Sequence, residues 1–326
     1  MNHGTDGKHM GMRYLVTGCA GFIGSTLTDT LLAAGHEVVG VDCFTDYYER
    51  SRKEHNLEQA RQYDGFSLHE LDLASDRLED VSDGVDGVFH LAAQAGVRAS
   101  WGSEFDTYTC CNILATQRLL ETLSTRNESR PRVVYASSSS IYGNALRRPT
   151  HESATPAPVS PYGVTKLAAE HLCSTYHHNH GIPVASLRFF TVYGERQRPD
   201  MAFHRFIRSA LAGEQIVVFG DGHQSRDFTY VGDIVSGCLA AMRSTINAAT
   251  YNLGGGSTVT VRETLDLLSD ILDADVDVRY TDAQLGDVRH TSADTTSAHT
   301  EIGFTTSVTL AEGLAREVRW MRDEFL

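Results

Sequence analysis

The stretch TGCAGFIG (residues 17–24) decides the fold of this 326-residue chain. It follows the short apolar run RYLVTG (13–18), and leucines at helical spacing come after it. A strand, a glycine turn and a helix in this order are typical of a phosphate-binding turn. Gly18 allows the tight turn, Gly21 lets backbone amides approach a pyrophosphate, and Gly24 permits close helix–strand packing. Because the N-terminus of a helix favours anions, we expect a dinucleotide cofactor here.

The next strand, EVVGVD (37–42), ends in an acid that bears on the choice of cofactor. Asp42 at this point would accept hydrogen bonds from an adenosine ribose and repel a 2′-phosphate, so NAD is favoured over NADP. Asp72, at the end of the third strand, is expected either to contact the adenine or only to cap a helix. The expected cofactor-binding residues at these strand ends are Gly18, Gly21, Phe22, Ile23, Gly24, Asp42, Cys43, Asp72, Leu73, Leu91, Ala92 and Ala93.

Strand-like and helix-like patterns alternate through the first half of the chain. Further apolar strand-like runs are FSLHELDL (66–73), DGVFHLAA (86–93), RVVYASS (132–138) and IPVASLRFF (182–190). This alternation predicts an α/β protein with a Rossmann-type, doubly wound parallel sheet.

Shorter elements follow residue 192 and predict a second unit. They are helices near 201–212, 231–243, 260–273 and 309–322 and a strand, QIVVFG, at 215–220. We expect a cofactor-binding domain at 12–191, whose sheet is completed by segments near 229–253. A smaller α/β domain, mainly 192–326, is expected to bind the substrate.

Composition excludes several classes of protein. The formal charge of −14 and the absence of a basic block argue against a nucleic-acid binder. No window approaches the roughly 18 apolar residues of a membrane span, and the polar first eleven residues predict no signal peptide. The six cysteines contain no CxxC pair, which favours reduced thiols and a cytoplasmic protein.

Three histidines close together, His177, His178 and His180, are the strongest candidate for a metal site. No cysteine or acid accompanies them at ligand spacing, so we interpret them as an exposed helix end. The sequence therefore predicts no metal site.

The pentapeptide YGVTK places Tyr162 and Lys166 on one helical face, because residues i and i+4 are neighbours on a helix. Pro161 suits the start of that helix. A tyrosine normally titrates near 10, but a lysine and a positively charged nicotinamide would both favour the tyrosinate. Tyr162 is therefore the candidate base, with Lys166 as its cationic neighbour, and both are also expected at the cofactor.

The run SSSSIYG (137–143) closes the strand RVVYASS, where α/β enzymes hold their chemistry. The four consecutive serines raise two questions: which of them takes part in catalysis, and why no acidic residue lies beside it.

Together, TGCAGFIG, HLAAQAGVRAS (90–100), SSSSIYG, YGVTK, RFFTVYG (188–194) and GHQSRDFTYVGDI (222–234) resemble the extended short-chain dehydrogenase/reductase superfamily. Within it, the chain is similar to nucleotide-sugar epimerases and dehydratases over nearly its whole length from residue 13. The resemblance implies a tightly held NAD that oxidises and then re-reduces one sugar carbon. By the family pattern SSS(A/T)xYG, the catalytic serine falls on Ser138, working with Tyr162 and Lys166.

The resemblance also explains the missing acid. Related dehydratases have Asp-Glu after the catalytic hydroxyl residue, and UDP-glucuronate decarboxylases have a Glu just before the position of Ile141. Here those positions are Ser139 and Ser140, which cannot act as general acids at neutral pH. Oxidation at C4, rotation of the ketone and return of the hydride to the other face remain as the simplest outcome. We therefore expect a 4-epimerase.

The expected substrate is UDP-glucuronate. Thr191 replaces an Asn common in UDP-hexose epimerases, and Ser139, Ser140 and Thr191 could surround a uronate carboxylate, although ordinary loop hydrogen bonding is the alternative. The segments VDCFTDYYERSRKEHNL (41–57) and RQRPDMA (196–202) also resemble UDP-glucuronate 4-epimerases. Cys43 replaces the usual Asn of that pattern, which leaves this cofactor contact in question.

The resemblance implies further binding residues and an assembly. Arg226 and Arg289 match arginines that clamp the diphosphate, Phe219 would lie against the uracil, and Arg98 and Arg198 are weaker substrate candidates. Helices near 104–125 and 162–178 resemble the pair that forms a four-helix dimer interface, so a homodimer is expected. The alternatives are a UDP-hexose 4-epimerase, a UDP-glucuronate decarboxylase and a non-enzymatic NAD-binding sensor.

Overall fold

The structure is a computed structural model, and it describes residues 11–126, 130–256 and 258–325. Its framework consists of β-strands. In chain order they are β1 (Arg13–Thr17), β2 (Glu37–Asp42), β3 (Phe66–Glu70), β4 (Gly87–His90), β5 (Arg132–Ser138), β6 (Val184–Phe189), β7 (Val192–Tyr193), β8 (Ile216–Phe219), β9 (Ser225–Asp227), β10 (Thr229–Tyr230), β11 (Ala249–Leu253), β12 (Thr258–Thr260) and β13 (Val278–Thr281). A seven-stranded sheet has the order β11-β6-β5-β4-β1-β2-β3, and every pairing in it is parallel.

Helices connect these strands. They are α1 (Phe22–Ala33), α2 (Arg50–Asn56), α3 (Glu79–Ser82), α4 (Phe105–Tyr108), α5 (Ala115–Ser124), α6 (Pro161–His180), α7 (Ala202–Leu211), α8 (Val231–Arg243), α9 (Val261–Leu272), α10 (Thr296–Ile302) and α11 (Leu310–Phe325). Between α4 and α5 the chain widens into a π-helical segment, Thr109–Leu114.

Two apolar clusters cover the two faces of the large sheet. On one face, α1 and α8 bury Leu27, Leu31 and Ile234. On the other face, α5 and α6 bury Leu119 and Cys173. Because parallel strands need helical crossovers, helices on both faces are the expected outcome of the alternating pattern. The predicted α/β, Rossmann-type fold is confirmed.

A third apolar cluster lies among α7, α9, α11 and the parallel pair β8–β13, and includes Phe203, Leu268 and Met321. It gives the later part of the chain a core of its own. However, β11 belongs to the large sheet, so the chain returns to the first unit after leaving it. The division at residues 191 and 192 stays a prediction.

The predicted absence of a signal peptide concerns residues 1–11, of which 1–10 lie outside the described residues. Within the described ranges, no helix has both the length and the apolar character needed to cross a membrane.

His90 ties the sheet to α5 from a buried position at the end of β4. Its Nδ1 lies 2.8 Å from Thr17 Oγ1, and its Nε2 lies 2.9 Å from Thr116 Oγ1. Burial, with Lys166 adding to it, lowers the pKa of His90 to about 3. The imidazole is therefore neutral in the folded protein throughout the ordinary pH range.

This buried imidazole predicts that acid destabilises the fold. Unfolded His90 takes up a proton near its ordinary pKa of about 6.5, while the folded residue does not, so the free energy of unfolding falls as pH drops below 6.5. By pH 5 the loss from this residue is about 2 kcal/mol. The free energy of unfolding can be measured with urea at pH 7 and at pH 5. His90→Gln should be less stable than the parent at pH 7, but its free energy of unfolding should fall by about 2 kcal/mol less between pH 7 and pH 5. Equal losses in both proteins would contradict the assignment.

Candidate active site

The glycine turn between β1 and α1 is shaped to receive an anionic group. Gly18 has a φ of +71°, and a Cβ there would lie 2.8 Å from the backbone N of Ala92. A Cβ on Gly24 would overlap the carbonyl oxygen of Gly18. The residue before α1 is Gly21, and no side chain caps the helix, so its first N–H groups remain directed at the adjoining pocket. The geometry therefore fits the pyrophosphate of a dinucleotide.

Asp42 is fixed at the end of β2. Its Oδ2 accepts from the backbone N of Ala20 at 3.2 Å, and its Oδ1 accepts from the backbone N of Phe44 at 2.9 Å. The buried ammonium of Lys53 lies 3.8 Å from Oδ1 and donates to the carbonyl of Thr45 at 2.9 Å. Lys53, which sequence reasoning missed, thus holds the segment after β2 against the acid.

One pocket collects every residue predicted to bind the cofactor. It is lined by Gly18, Gly21, Phe22, Ile23, Gly24, Asp42, Cys43, Asp72, Leu73, Leu91, Ala92, Ala93, Tyr162 and Lys166. Asp72 also accepts from the backbone N of Ala74 at 2.8 Å, so it stabilises a turn while lining the pocket. The helix-cap alternative is wrong, because the next helix, α3, begins only at Glu79. Whether each residue contacts a cofactor stays a prediction.

A second pocket adjoins the first and collects most of the predicted substrate residues. Its lining includes Arg98, Ser138, Ser139, Ser140, Tyr162, Thr191, Arg198, Phe219 and Arg226. Tyr162 and Arg198 line both pockets. A reacting atom held near Tyr162 would therefore face the first pocket on one side and the second on the other.

Ser137 and Ser138 have different roles in the serine run. Ser137 Oγ donates to Glu170 Oε2 at 2.6 Å in the interior. The hydroxyl of Ser138 accepts from the backbone N of Ser140 at 3.1 Å and lies beside the phenol of Tyr162, whose pKa it lowers. Ser137 therefore belongs to the packing of the fold, and Ser138 lies at the candidate base. This placement agrees with the assignment of Ser138 as the catalytic serine, which stays a prediction.

The phenol of Tyr162 is not yet activated by the protein alone. Burial raises its pKa above the ordinary value, while the hydrogen bond with Ser138 and the charge of Arg198 act in the opposite direction. Lys166 is not among the groups that lower it, which corrects the expectation that the lysine is a main cause. The remaining positive charge that the tyrosinate needs must come from a bound cofactor.

Lys166 is buried on the same face of α6, with its ammonium 4.7 Å from the centre of the Tyr135 ring. Burial lowers its pKa to about 8, and the nearby Cys173 and Glu170 oppose that shift. The side chain therefore remains mostly protonated at neutral pH.

Two acids accompany two of the arginines in the second pocket. Asp200 accepts from Arg198 Nε and Nη2, both at 3.0 Å, and Asp287 accepts from Arg98 Nη2 at 2.7 Å. Arg226 Nη1 instead donates to the carbonyls of Ser225 at 2.9 Å and Arg289 at 3.2 Å.

Arg205 is a pocket residue that sequence reasoning missed. Its guanidinium lies 5.1 Å from the centre of the Phe219 ring, and that of Arg98 lies 4.4 Å from the same centre. Phe219 is thus flanked by cations in the second pocket. The helix predicted near 201–212 includes Arg205, but the sequence pattern could not show which face of that helix meets the pocket.

The structure places Arg289 differently from the prediction. Its guanidinium pairs with Asp221 at 2.8 Å, is 60% exposed and does not line the second pocket. Only its backbone carbonyl reaches toward the site, where it accepts from Arg226. The assignment of Arg289 to a diphosphate clamp is therefore not supported in this conformation, because its side chain is held outward by the acid.

Asn112 is a third residue near the site, after Lys53 and Arg205, that sequence reasoning missed. It lies in the π-helical segment, a local widening that often marks functional sites, and is buried. Its Oδ1 accepts from the backbone N of Gln94 at 2.7 Å, and its Nδ2 donates to Thr165 Oγ1 at 2.9 Å. Asn112 therefore joins the segment after β4 to the helix that carries Tyr162 and Lys166.

The histidine group lies at the end of α6, away from these pockets. His177 Nδ1 is 2.8 Å from the carbonyl of Ile182, and His180 stacks on Tyr176. Within the described residues, no group of three or more His, Cys, Asp or Glu side chains is arranged to hold a metal ion.

The fold and the paired pockets define a dinucleotide-binding α/β protein with a Ser-Tyr-Lys constellation. The model of the NAD dependent epimerase/dehydratase family matches residues 14–254. The chain belongs to this family.

Curated relatives match along almost the whole chain. A UDP-glucuronate 4-epimerase of Thermodesulfobacterium geofontis is 36% identical, covering 95% of this chain and 96% of the relative. A protein of Bacillus subtilis described as an uncharacterized UDP-glucose epimerase is 41% identical, covering 95% and 98%. The UDP-glucuronic acid 4-epimerase of Bacillus cereus, solved with UDP-glucuronic acid and NAD, superposes with a TM-score of 0.93 at 38% identity, covering 96% and 100%.

The burial of Lys166 predicts an unusual titration. The chain contains only three lysines, Lys8, Lys53 and Lys166, so carbon-13 NMR of labelled lysine side chains gives few signals to assign. We expect one signal with a midpoint at pH about 8. That signal should be missing in Lys166→Met. A protein in which every lysine keeps an ordinary midpoint near 10.4 would contradict the buried, desolvated ammonium.

Proposed function

We propose that the chain catalyses the reversible 4-epimerisation of UDP-glucuronate to UDP-galacturonate through a 4-keto intermediate, with tightly bound NAD. The observation that carries the proposal is the junction of the two pockets, where Tyr162 and Ser138 meet a run of hydroxyls in place of carboxyl groups. The relatives named UDP-glucuronate 4-epimerases, and the solved structure with UDP-glucuronic acid and NAD, support the same substrate and cofactor.

The residues of the chain provide the acid–base steps. The residues of the first pocket would hold NAD, which would supply the acceptor and later the donor for the C4 hydride. Tyr162 takes the proton of the 4-hydroxyl and later gives it back, while Ser138 holds that oxygen through a hydrogen bond. The charge of Arg198 and that of a bound cofactor favour the tyrosinate, while Lys166 is expected to hold the cofactor from the first pocket. Because the hydride returns to C4 and the proton returns to the sugar oxygen, the cycle consumes no cofactor.

The residues beside Ser138 argue against two related reactions. Elimination of water and controlled loss of CO₂ both use an added carboxyl group, but Ser139 and Ser140 line the pocket here. We infer that these hydroxyls, with Thr191 and the guanidinium of Arg198 in the same pocket, surround the C6 carboxylate of the sugar. Held in this way, the carboxylate keeps its C–C bond out of line with the ketone, which slows decarboxylation.

The charge of the second pocket also suits a UDP-uronate. Four arginines, Arg98, Arg198, Arg205 and Arg226, line it against only two acids, Asp200 and Asp287. The whole chain nevertheless has a formal charge of −14. The cations are therefore concentrated where a diphosphate and a carboxylate would lie, and guanidinium groups match both geometrically.

The cytoplasmic location of the protein stays a prediction.

Incubation with UDP-glucuronate, followed by proton NMR of the sugar, tests the proposal. We expect UDP-galacturonate to form without added NAD, with little UDP-pentose. Tyr162→Phe and Ser138→Ala should lose at least about 100-fold in rate, because base catalysis typically contributes that much. Ser82→Ala, a control at a buried serine in α3 outside both pockets, should keep the reaction.

The outcomes separate the alternatives. Turnover of UDP-glucose alone would identify a UDP-hexose epimerase, as the description of the Bacillus subtilis relative suggests. Net release of NADH would indicate a dehydrogenase, and the absence of any turnover despite bound NAD would favour a sensor. Near-normal turnover by Tyr162→Phe would remove Tyr162 as the base.

We also propose that two copies of the chain form a homodimer through the α5–α6 surface. These helices pack side by side, and apolar residues on the same elements remain open to solvent. Leu114 before α5 is 43% exposed, and Val164 on α6 is 46% exposed. A four-helix interface would cover both. Exposed apolar side chains that share one surface are typical of such contacts.

Sedimentation velocity at micromolar concentration tests this interface. The parent should sediment as a dimer, and Leu114→Glu should shift it to a monomer, because the new charge would have to be buried without a partner. Leu285→Glu is the matched control, since Leu285 is 78% exposed and lies outside these helices. A monomeric parent, or a Leu114→Glu variant that remains dimeric, would contradict the proposal.

A further inference from the structure

Tyr47 lies where the two pockets meet. It belongs to the segment between β2 and α2, and its side chain lines both the first pocket and the second. Arg198, which also lines both pockets, comes from a distant segment before α7. The junction is therefore formed by two loops that the sheet topology brings to the same edge.

Asp200 joins these two residues. Its carboxylate accepts from Arg198 Nε and Nη2, both at 3.0 Å, and Oδ2 also accepts from the hydroxyl of Tyr47 at 3.2 Å. The centre of the Tyr47 ring is 5.9 Å from the Arg198 guanidinium carbon. Oδ2 is thus shared between the tyrosine and the arginine, so the hold of Asp200 on Arg198 depends on Tyr47.

The protonation states of this triad are fixed around neutral pH. Burial and the neighbouring Asp200 raise the pKa of Tyr47 to about 12, so its hydroxyl remains a donor. Burial also raises the pKa of Asp200, but Arg198 and Tyr47 outweigh that effect and keep it below the ordinary value. Asp200 is therefore a permanent anion that always needs donors.

The backbone opposite Tyr47 leaves space for its hydroxyl. Gly96 has a φ of +104°, and a Cβ there would overlap the Tyr47 oxygen. The loop that carries Gly96 is held by the hydroxyl of Tyr108, which donates to the carbonyls of Ala95 at 2.9 Å and Gly96 at 2.6 Å. A glycine and an anchored loop thus fix the position of the phenol at the junction.

We propose that Tyr47 is a positioning residue that sets the preference for a C6 carboxylate over a neutral C6 hydroxymethyl group. The proposal rests on the function proposed above. Asp200 cancels much of the charge that Arg198 could offer a uronate, and the hydrogen bond from Tyr47 weakens and orients that pairing. Without the Tyr47 hydroxyl, Asp200 accepts hydrogen bonds from the Arg198 side chain alone and pairs with it more strongly. Arg198 then attracts the sugar carboxylate less.

Isothermal titration calorimetry of the NAD-loaded protein with UDP-glucuronate, UDP-glucose and UDP tests this role without requiring turnover. Tyr47→Phe removes only the oxygen. We expect its preference for UDP-glucuronate over UDP-glucose to fall by about tenfold, as the loss of a hydrogen bond to a charged group implies, with UDP affinity unchanged. Tyr63→Phe is the matched control, because Tyr63 packs against the core outside both pockets and should keep the parent preference.

The outcomes distinguish this role from the function on which it rests. A parent that binds UDP-glucose as tightly as UDP-glucuronate would overturn the proposed uronate substrate itself. A parent with a clear preference that Tyr47→Phe retains in full would overturn the role of Tyr47 alone. A variant that weakens all three ligands equally would also overturn it, since that pattern indicates a general loss of packing.

Discussion

A buried ion pair between Glu170 on α6 and Arg188 on β6 is the interaction on which the site depends. Arg188 Nε donates to Glu170 Oε2 at 3.1 Å, its Nη2 donates to Oε1 at 2.5 Å, and its Nη1 donates to the hydroxyl of Tyr142 at 2.6 Å. Ser137 adds a hydroxyl to the same carboxylate. Removing one partner from such a pair typically costs about 3–5 kcal/mol, because the other charge stays buried and unpaired.

This cluster fixes the geometry of the candidate site, because Glu170 and Ser137 each lie close in sequence to a residue of that site. Glu170 is one helical turn after Lys166, so α6 cannot rotate without breaking the pair. Ser137 immediately precedes Ser138, so the hydroxyl that meets Tyr162 is held by a neighbour bound in the core. Glu170 also acts electrostatically, since it helps to keep the buried Lys166 charged. Structural and electrostatic support thus come from the same carboxylate.

The sequence predicted much of this site because its constraints are local. Gly18 and Gly24 follow from a turn that leaves no room for a Cβ, and Tyr162 and Lys166 follow from helical spacing. Local pattern could not show that Ser137 turns inward while Ser138 meets the phenol, because that depends on Glu170 and on the end of β5. The family resemblance also implied that Arg289 clamps the diphosphate, whereas Asp221, far away in sequence, pairs with that guanidinium outside the second pocket.

By itself, the sequence determined the α/β class and the phosphate-binding turn, which rest on backbone sterics and on periods of a few residues. The prediction of Ser138 as the catalytic serine came instead from the family resemblance. Only the tertiary structure decided how charges pair across long separations, such as Tyr47 with Asp200 and Lys53 with Asp42. The same holds for Asn112, whose bonds reach Gln94 and Thr165. The physical reason is that electrostatic and hydrogen-bond partners are chosen by distance in space, which the order of residues along the chain does not specify.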